Sequence, residues 1–256
     1  MSERFYPILV QDPTAAETDM QAIKGLVERG ALTKIYDAPS VTTITPMLAT
    51  GPGMTISAVN LTKEGKNYRK EWDVAADKGT AIHKIAEKLY EIEEVDTYPE
   101  ELRGFVTALI AWRDRWKPVE VTNEFVICGF GSNPPSTIFA GRADKTVDVY
   151  PPTRDGKNFV ELQTTKPSRV LLDFKTLGKP KHLKDYPKGF LGNQIELVAR
   201  AMAMPEGSVD VCGLVRLASD GQQQTTWINK WEWPPLYDCF LRCLTEYEFR
   251  RTDKWN

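Results

Sequence analysis

The spacing of apolar and polar positions changes period along this chain, and each change predicts an element. Between Val74 and Glu93 the apolar residues Ile82, Ile85, Ala86 and Leu89 recur at i, i+3, i+4 and i+7, the single buried stripe of an amphipathic helix. A second helix is predicted directly after it. Pro99 suits its first turn, Leu102, Phe105, Val106, Leu109, Ile110 and Trp112 form its stripe, and Pro118 bounds its end. Beyond Pro118 the period falls to about two over Val119–Phe130, Thr137–Tyr150 and Arg169–Leu177, which reads as strands. The turn string GSNPPS joins the first two into a hairpin. A helix is predicted at about Gly192–Ala203, then strands at Val209–Ala218 and Thr225–Trp233, and a closing helix from Pro235 to about Arg251.

The order is helix, three strands, helix, two strands, helix, so the expected class is α/β (α+β), a mixed central sheet flanked by helices. Residues 1–45 mix Pro, Asp, Thr and Gly around one short amphipathic candidate, Asp19–Glu28. They read as an N-terminal arm or cap, with one domain from 46 to 256.

Composition narrows the function. Lys and Arg number 33 against 35 Asp and Glu, giving a net charge of −2, so general polybasic attraction to nucleic acid is excluded and any such binding must be local. The apolar runs are far shorter than the roughly 18 residues that span a bilayer, and the opening MSERFYPILVQDP lacks an export pattern. A cytoplasmic protein without a membrane partner is expected. Cys128, Cys212, Cys239 and Cys243 are scattered with no CxxC pair, which fits reduced thiols.

Three strings bear candidate chemistry. His83, in KGTAIHKIAE, sits at the edge of a helical stripe one turn after Gly79. It reads either as a boundary histidine covering the core or as a ligand with room left beside it by the glycine. In FAGRADKTVDV, Asp144 interrupts a strand, where aspartate is disfavoured; an exposed edge position is the plain alternative. In VLLDFKTLG a buried strand ends by presenting Asp173 and Lys175 on one face and Phe174 on the other. An acid-x-Lys triplet is weak alone, and Asp155-Gly156-Lys157 and Glu64-Gly65-Lys66 are decoys in turn-like sequence. Taken together, two carboxylates and an imidazole suit a hard divalent cation such as Mg²⁺ or Mn²⁺, with the Phe174 carbonyl as a further oxygen. Lys175 adds a charge that orients water or helps deprotonate it.

In this order the motifs resemble the PD-(D/E)XK nuclease superfamily, and within it the RecB-like branch that includes CRISPR adaptation nucleases and many phage exonucleases. GTAIH is similar to its GxxxH helix, GRAD to the strand with the first aspartate, DFK to the D-x-K strand, and Gln194 in GNQIELVARA to its helical glutamine. APSVTTITPML also resembles the PSVTTI opening of actinobacteriophage nucleases of this branch. The resemblance implies a restriction-endonuclease-like αβββαβ core with His83, Asp144, Asp173 and Phe174 at the metal. It implies catalytic roles for Asp144, Asp173 and Lys175, with Gln194 bracing site and substrate. Two departures stand out. The residue four after Gln194 is Val198, where the branch often has tyrosine, and no cysteine precedes His83, which argues against the four-iron cluster of some relatives.

From Lys175 to Lys188 five lysines face the single Asp185, a local excess of four charges. Lys179, Lys181 and Lys184 are the expected DNA contacts, with His182, Tyr186 and Phe190 placed to stack on an unpaired base; a solvated loop is the plain alternative. The expected function is a Mg²⁺- or Mn²⁺-dependent DNA exonuclease of phage recombination, replication or repair. It would act in the host cytoplasm with DNA and a recombination or single-strand-binding protein as partners. The alternatives are a structure-selective endonuclease of the same fold, a non-catalytic DNA-binding or assembly protein on that scaffold, and a small-molecule metal hydrolase.

Overall fold

The computed structural model describes residues 5–11, 32–45, 59–92, 94–130, 138–150, 153–155, 158–160, 167–178, 180, 182–185 and 187–252. At the N-terminal end β1 (Phe5–Gln11) and β2 (Leu32–Pro39) pair antiparallel, within the stretch that the sequence suggested as an arm or cap. The candidate helix Asp19–Glu28 lies outside the described residues. A short turn of helix, α1 (Val41–Ile44), follows, with Ser40 accepting the Thr43 N–H at 3.0 Å. Val41 and Ile44 are fully buried against Phe139, Ile195 and Phe240, so a boundary at residue 45 cuts through core packing.

The two helices expected from periodicity are α2 (Tyr68–Glu87) and α3 (Glu100–Trp116). The strands β3 (Val119–Phe130) and β4 (Ile138–Val149) pair antiparallel as the expected hairpin, its GSNPPS turn being outside the described residues. A small antiparallel pair, β5 (Thr153–Asp155) and β6 (Asn158–Val160), follows β4. Then come β7 (Ser168–Leu177), α4 (His182–Asp185), α5 (Leu191–Met202), β8 (Val211–Ala218), β9 (Gln223–Asn229) and α6 (Trp233–Thr252).

The main sheet has five strands in the order β3-β4-β7-β8-β9, parallel only between β7 and β8. That one parallel pair follows from the crossover helix α5, because parallel neighbours cannot be joined by a tight turn. Both faces are covered. Val170, Leu172, Phe174, Val215 and Leu217 pack under α2 and α3, while Leu171, Cys212 and Leu214 pack under α5. β7 and β8 are thus buried on both sides, which explains their near-continuous apolar sequence. The mixed α/β sheet flanked by helices is the expected class.

Candidate functional site

The site begins where two strands part. β4 and β7 pair from Val149↔Ser168 to Lys145↔Leu172, and beyond that point they part: β4 continues with β3 and makes one bridge from Ala140 to Ser40, and β7 continues with β8. Asp144 and Asp173 are the next residue on each strand at the opening of this fork. Asp144 spans it: its Oδ2 accepts the Phe174 N–H at 3.0 Å, so a side chain replaces the lost ladder bond. An aspartate in a strand, disfavoured in general, is accounted for by this fork.

Phe174 holds β7 in register here. Its ring is buried and meets Trp112 of α3 edge-on, centroids 5.8 Å apart, and the Trp112 indole N–H donates to Thr225 Oγ1 at 2.9 Å. With Phe174 anchored on that face, alternation sends Asp173 and Lys175 to the other, as the sequence predicted. Lys175 Nζ donates to Asp173 Oδ1 at 3.2 Å and lies 2.9 Å from Oδ2.

His83 arrives from α2. Its Nδ1 lies 3.2 Å from Asp144 Oδ2. Gly79, one turn earlier, is not required by a close approach: a Cβ there would stand 3.6 Å from Thr176 Oγ1, an ordinary contact. The C-terminal end of α2 is pinned to β4 by Lys145, a buried lysine whose Nζ donates to the Glu87 carbonyl at 3.2 Å and lies 5.5 Å from the Tyr90 ring centroid. His83, Asp144 and Phe174 line one small cleft with Ala86, Glu87 and Lys145.

Two charged residues that the sequence reading passed over complete the constellation. Arg200 of α5 is only 7% exposed at its side chain, and its Nη1 donates to Asp173 Oδ1 at 2.9 Å. Its Nη2 lies 3.7 Å from Glu196 Oε2, and Glu196 Oε1 accepts the Thr45 hydroxyl at 2.8 Å. A chain of polar contacts therefore runs from the segment after α1 to the fork. The signal was present in Gly141: a Cβ there would crowd Arg200 Cγ and Val41 Cγ2 at 3.3 Å each, so the glycine of GRAD makes room for this arginine. A charged residue within the buried run Leu197–Ala201 was the other clue.

The charges support one another. Burial opposes protonation of His83, but the hydrogen bond and charge of Asp144 outweigh it and raise the imidazole above its ordinary value. Burial likewise pushes Asp144 up, and His83, Lys175 and the Phe174 N–H together hold it below the usual aspartate value. Lys175 is raised because Asp173 and Glu196 overcome its desolvation, so it is firmly a cation.

Other expected residues lie elsewhere. Gln194 is directed to the loop before α5, its Nε2 donating to the Lys188 carbonyl at 2.8 Å, and it makes no bond to the fork. On the first turn of α5, Gln194 thus ties down the chain entering that helix. Lys184 is exposed on α4; Lys179, Lys181 and Tyr186 lie outside the described residues. Cys212, Cys239 and Cys243 are free thiols, with Cys212 fully buried in the sheet. The decoy Glu64–Lys66 is a 2.9 Å surface ion pair across a turn with Gly65 at φ +72°.

Among the described residues, no three His, Cys, Asp or Glu side chains form a ready-made metal group. The reason is local: Asp144 is turned to His83 and Phe174, and Asp173 to Arg200 and Lys175. The donor types nevertheless suit a hard cation, and Asp173 Oδ2, buried and faced only by the Lys175 ammonium at 2.9 Å, keeps lone-pair capacity that a cation would use. No helix among the described residues is long and apolar enough to cross a membrane.

No protein-family model matches this chain, and no curated protein matches it either. Among solved structures it is similar to the crystal structure of a protein named SSO0001, at 14% identity and a TM-score of 0.41, over 89% of this chain and 83% of that one.

Proposed function

We propose that this protein is a metal-dependent DNA nuclease, an exonuclease hydrolysing phosphodiester bonds, on a PD-(D/E)XK scaffold of the RecB-like type. The observation that carries the reading is the fork itself, where Asp144, Asp173 and Lys175 meet His83 although they come from three elements. His83, Asp144 and Asp173, with the Phe174 carbonyl, would hold Mg²⁺ or Mn²⁺. When bound, that ion supplies Lewis acidity toward a phosphate oxygen and a more acidic water.

The chain's own residues supply the rest. Lys175 is a fixed cation beside Asp173 and would orient the attacking water or stabilise charge on the pentacovalent phosphate. His83, 3.2 Å from Asp144 Oδ2, would orient that carboxylate. Three carboxylates, Asp144, Asp173 and Glu196, face Lys175 and Arg200, a formal excess of one negative charge with His83 neutral. A divalent ion would add two positive charges there and strengthen the site's attraction for a phosphodiester.

The assignment as an exonuclease of phage type rests on the family resemblance. Incubating end-labelled linear DNA and covalently closed circles with Mg²⁺ tests it. Linear molecules should shorten while circles survive. Circles nicked as fast as linear DNA is degraded would replace this assignment with a structure-selective endonuclease using the same residues.

A further inference from the structure

The first half of α2 has no part in the fork and is not buried by the core. From Tyr68 to Lys78 no side chain of this helix is buried; burial begins at Ile82. Helices are normally held by an apolar face, so eleven residues of which none is buried and only Tyr68, Trp72 and Lys78 are half-buried need another reason to be there. Locally the helix is started by Asn67, whose Oδ1 accepts the Arg69 and Lys70 N–H groups at 3.1 and 3.3 Å.

What this half carries is aromatic and basic. Tyr68 and Trp72, one turn apart, meet edge-on with centroids 5.1 Å apart, and the Arg69 guanidinium lies 5.9 Å from the centre of the Tyr68 ring. Lys63, Lys66 and Lys70 are exposed around them. Tyr68, Trp72, Ala76, Gly79 and His83 recur at steps of four, four, three and four, so they form one continuous stripe along the helix. The acids of this half, Glu71, Asp73 and Asp77, fall off that stripe. Between Trp72 and His83 the stripe presents nothing larger than the methyl of Ala76. It passes β7 at Gly79, opposite Thr176, the residue after Lys175.

From this placement we infer that the outer half of α2 is a binding surface for an unpaired DNA strand, with Tyr68 and Trp72 stacking bases and Arg69 and its neighbouring lysines holding phosphates. The occupant is argued from charge and ring chemistry. A single strand offers exposed π-faces and a backbone charge for every nucleotide, whereas a duplex hides its faces. The inference rests on the proposed nuclease reading, because the stripe ends at His83. Eleven residues at about 1.5 Å each place Trp72 roughly 16 Å from His83, which is at most about five nucleotides at a spacing of about 3.4 Å.

The test separates binding from cleavage. Fluorescence anisotropy in EDTA measures affinity for labelled oligothymidylates of two to ten nucleotides, and for a blunt duplex, with the wild type, Trp72→Ala, Tyr68→Ala and Trp72→Phe. Circular dichroism confirms that each variant is folded. Wild-type affinity should rise with length up to about six nucleotides. Trp72→Ala and Tyr68→Ala should each lose about 5- to 100-fold on the longer strands, and Trp72→Phe should keep most of the affinity. Equal affinity of wild type and Trp72→Ala for all lengths overturns the surface, as does a Trp72-dependent preference for the blunt duplex. Cleavage of the same oligonucleotides in Mn²⁺ judges the other reading. Trp72-dependent binding without wild-type cleavage would leave the surface standing and remove the nuclease, and cleavage with no Trp72 dependence would do the reverse.

Discussion

Arg200 shows how much one side chain at the fork controls. It is buried beside Asp173, so removing its charge leaves that carboxylate with Lys175 alone and leaves Glu196 without its cation. Breaking a buried pair from one side costs about 3 to 5 kcal/mol, more than replacing both partners by apolar groups. Arg200→Met should therefore destabilise the protein by about 3 kcal/mol in urea, and Arg200→Met with Glu196→Gln should recover part of the loss. An Arg200→Met variant as stable as wild type would mean that the contact with Asp173 contributes little. The same residue explains a limit of the sequence reading. Motifs point to residues whose type is rare in their element, which singled out Asp144, Asp173 and Lys175. Arg200 looked like one more helix-forming residue, and only Gly141, far earlier in the chain and adjacent in space, reveals that it turns inward.

At the scale of elements, the close fit of α3 to the β8–β9 turn is the sharpest constraint. Gly104 lies in α3, and a Cβ there would overlap the Ser219 carbonyl. Alanine is worth about 1 kcal/mol over glycine inside a helix, but overpacking costs about 1 to 3 kcal/mol, so Gly104→Ala should lower stability. Gly192 of α5 has open space where its Cβ would go, and Gly192→Ala should raise stability slightly. Thermal melts of the two variants moving in the same direction would contradict this packing. Strands β3 and β4 were legible from alternation, and β7 and β8 from the short apolar runs that burial on both faces demands. The start of α2 was not. Periodicity marks a helix only where a face is buried, and residues 68–78 have none, so the expected helix began at Val74 and ran to Glu93, whereas the observed one spans Tyr68–Glu87. β1 and β2 carry strand formers such as Tyr6, Ile8, Val10, Ile35 and Tyr36, but Pro7, Asp37 and Pro39 argue against strands and masked that signal.

For the whole molecule, the fold places one fork, one crossover helix and one projecting helix around the same side chains while the net charge stays at −2. Nothing in that total attracts DNA, so the proposed function depends on local charge and on the bound cation. The most direct measurement compares wild type, Lys175→Ala and Asp144→Asn on end-labelled linear DNA in Mn²⁺, with binding followed separately in EDTA. Wild type should degrade the DNA only when the ion is present. Both variants should bind within a few-fold of wild type and cleave at least 100-fold more slowly, since one lysine adds little affinity but has a unique place beside Asp173. Wild-type cleavage by Lys175→Ala, or an absence of cleavage by the wild type in both Mg²⁺ and Mn²⁺, would contradict a catalytic role for the fork.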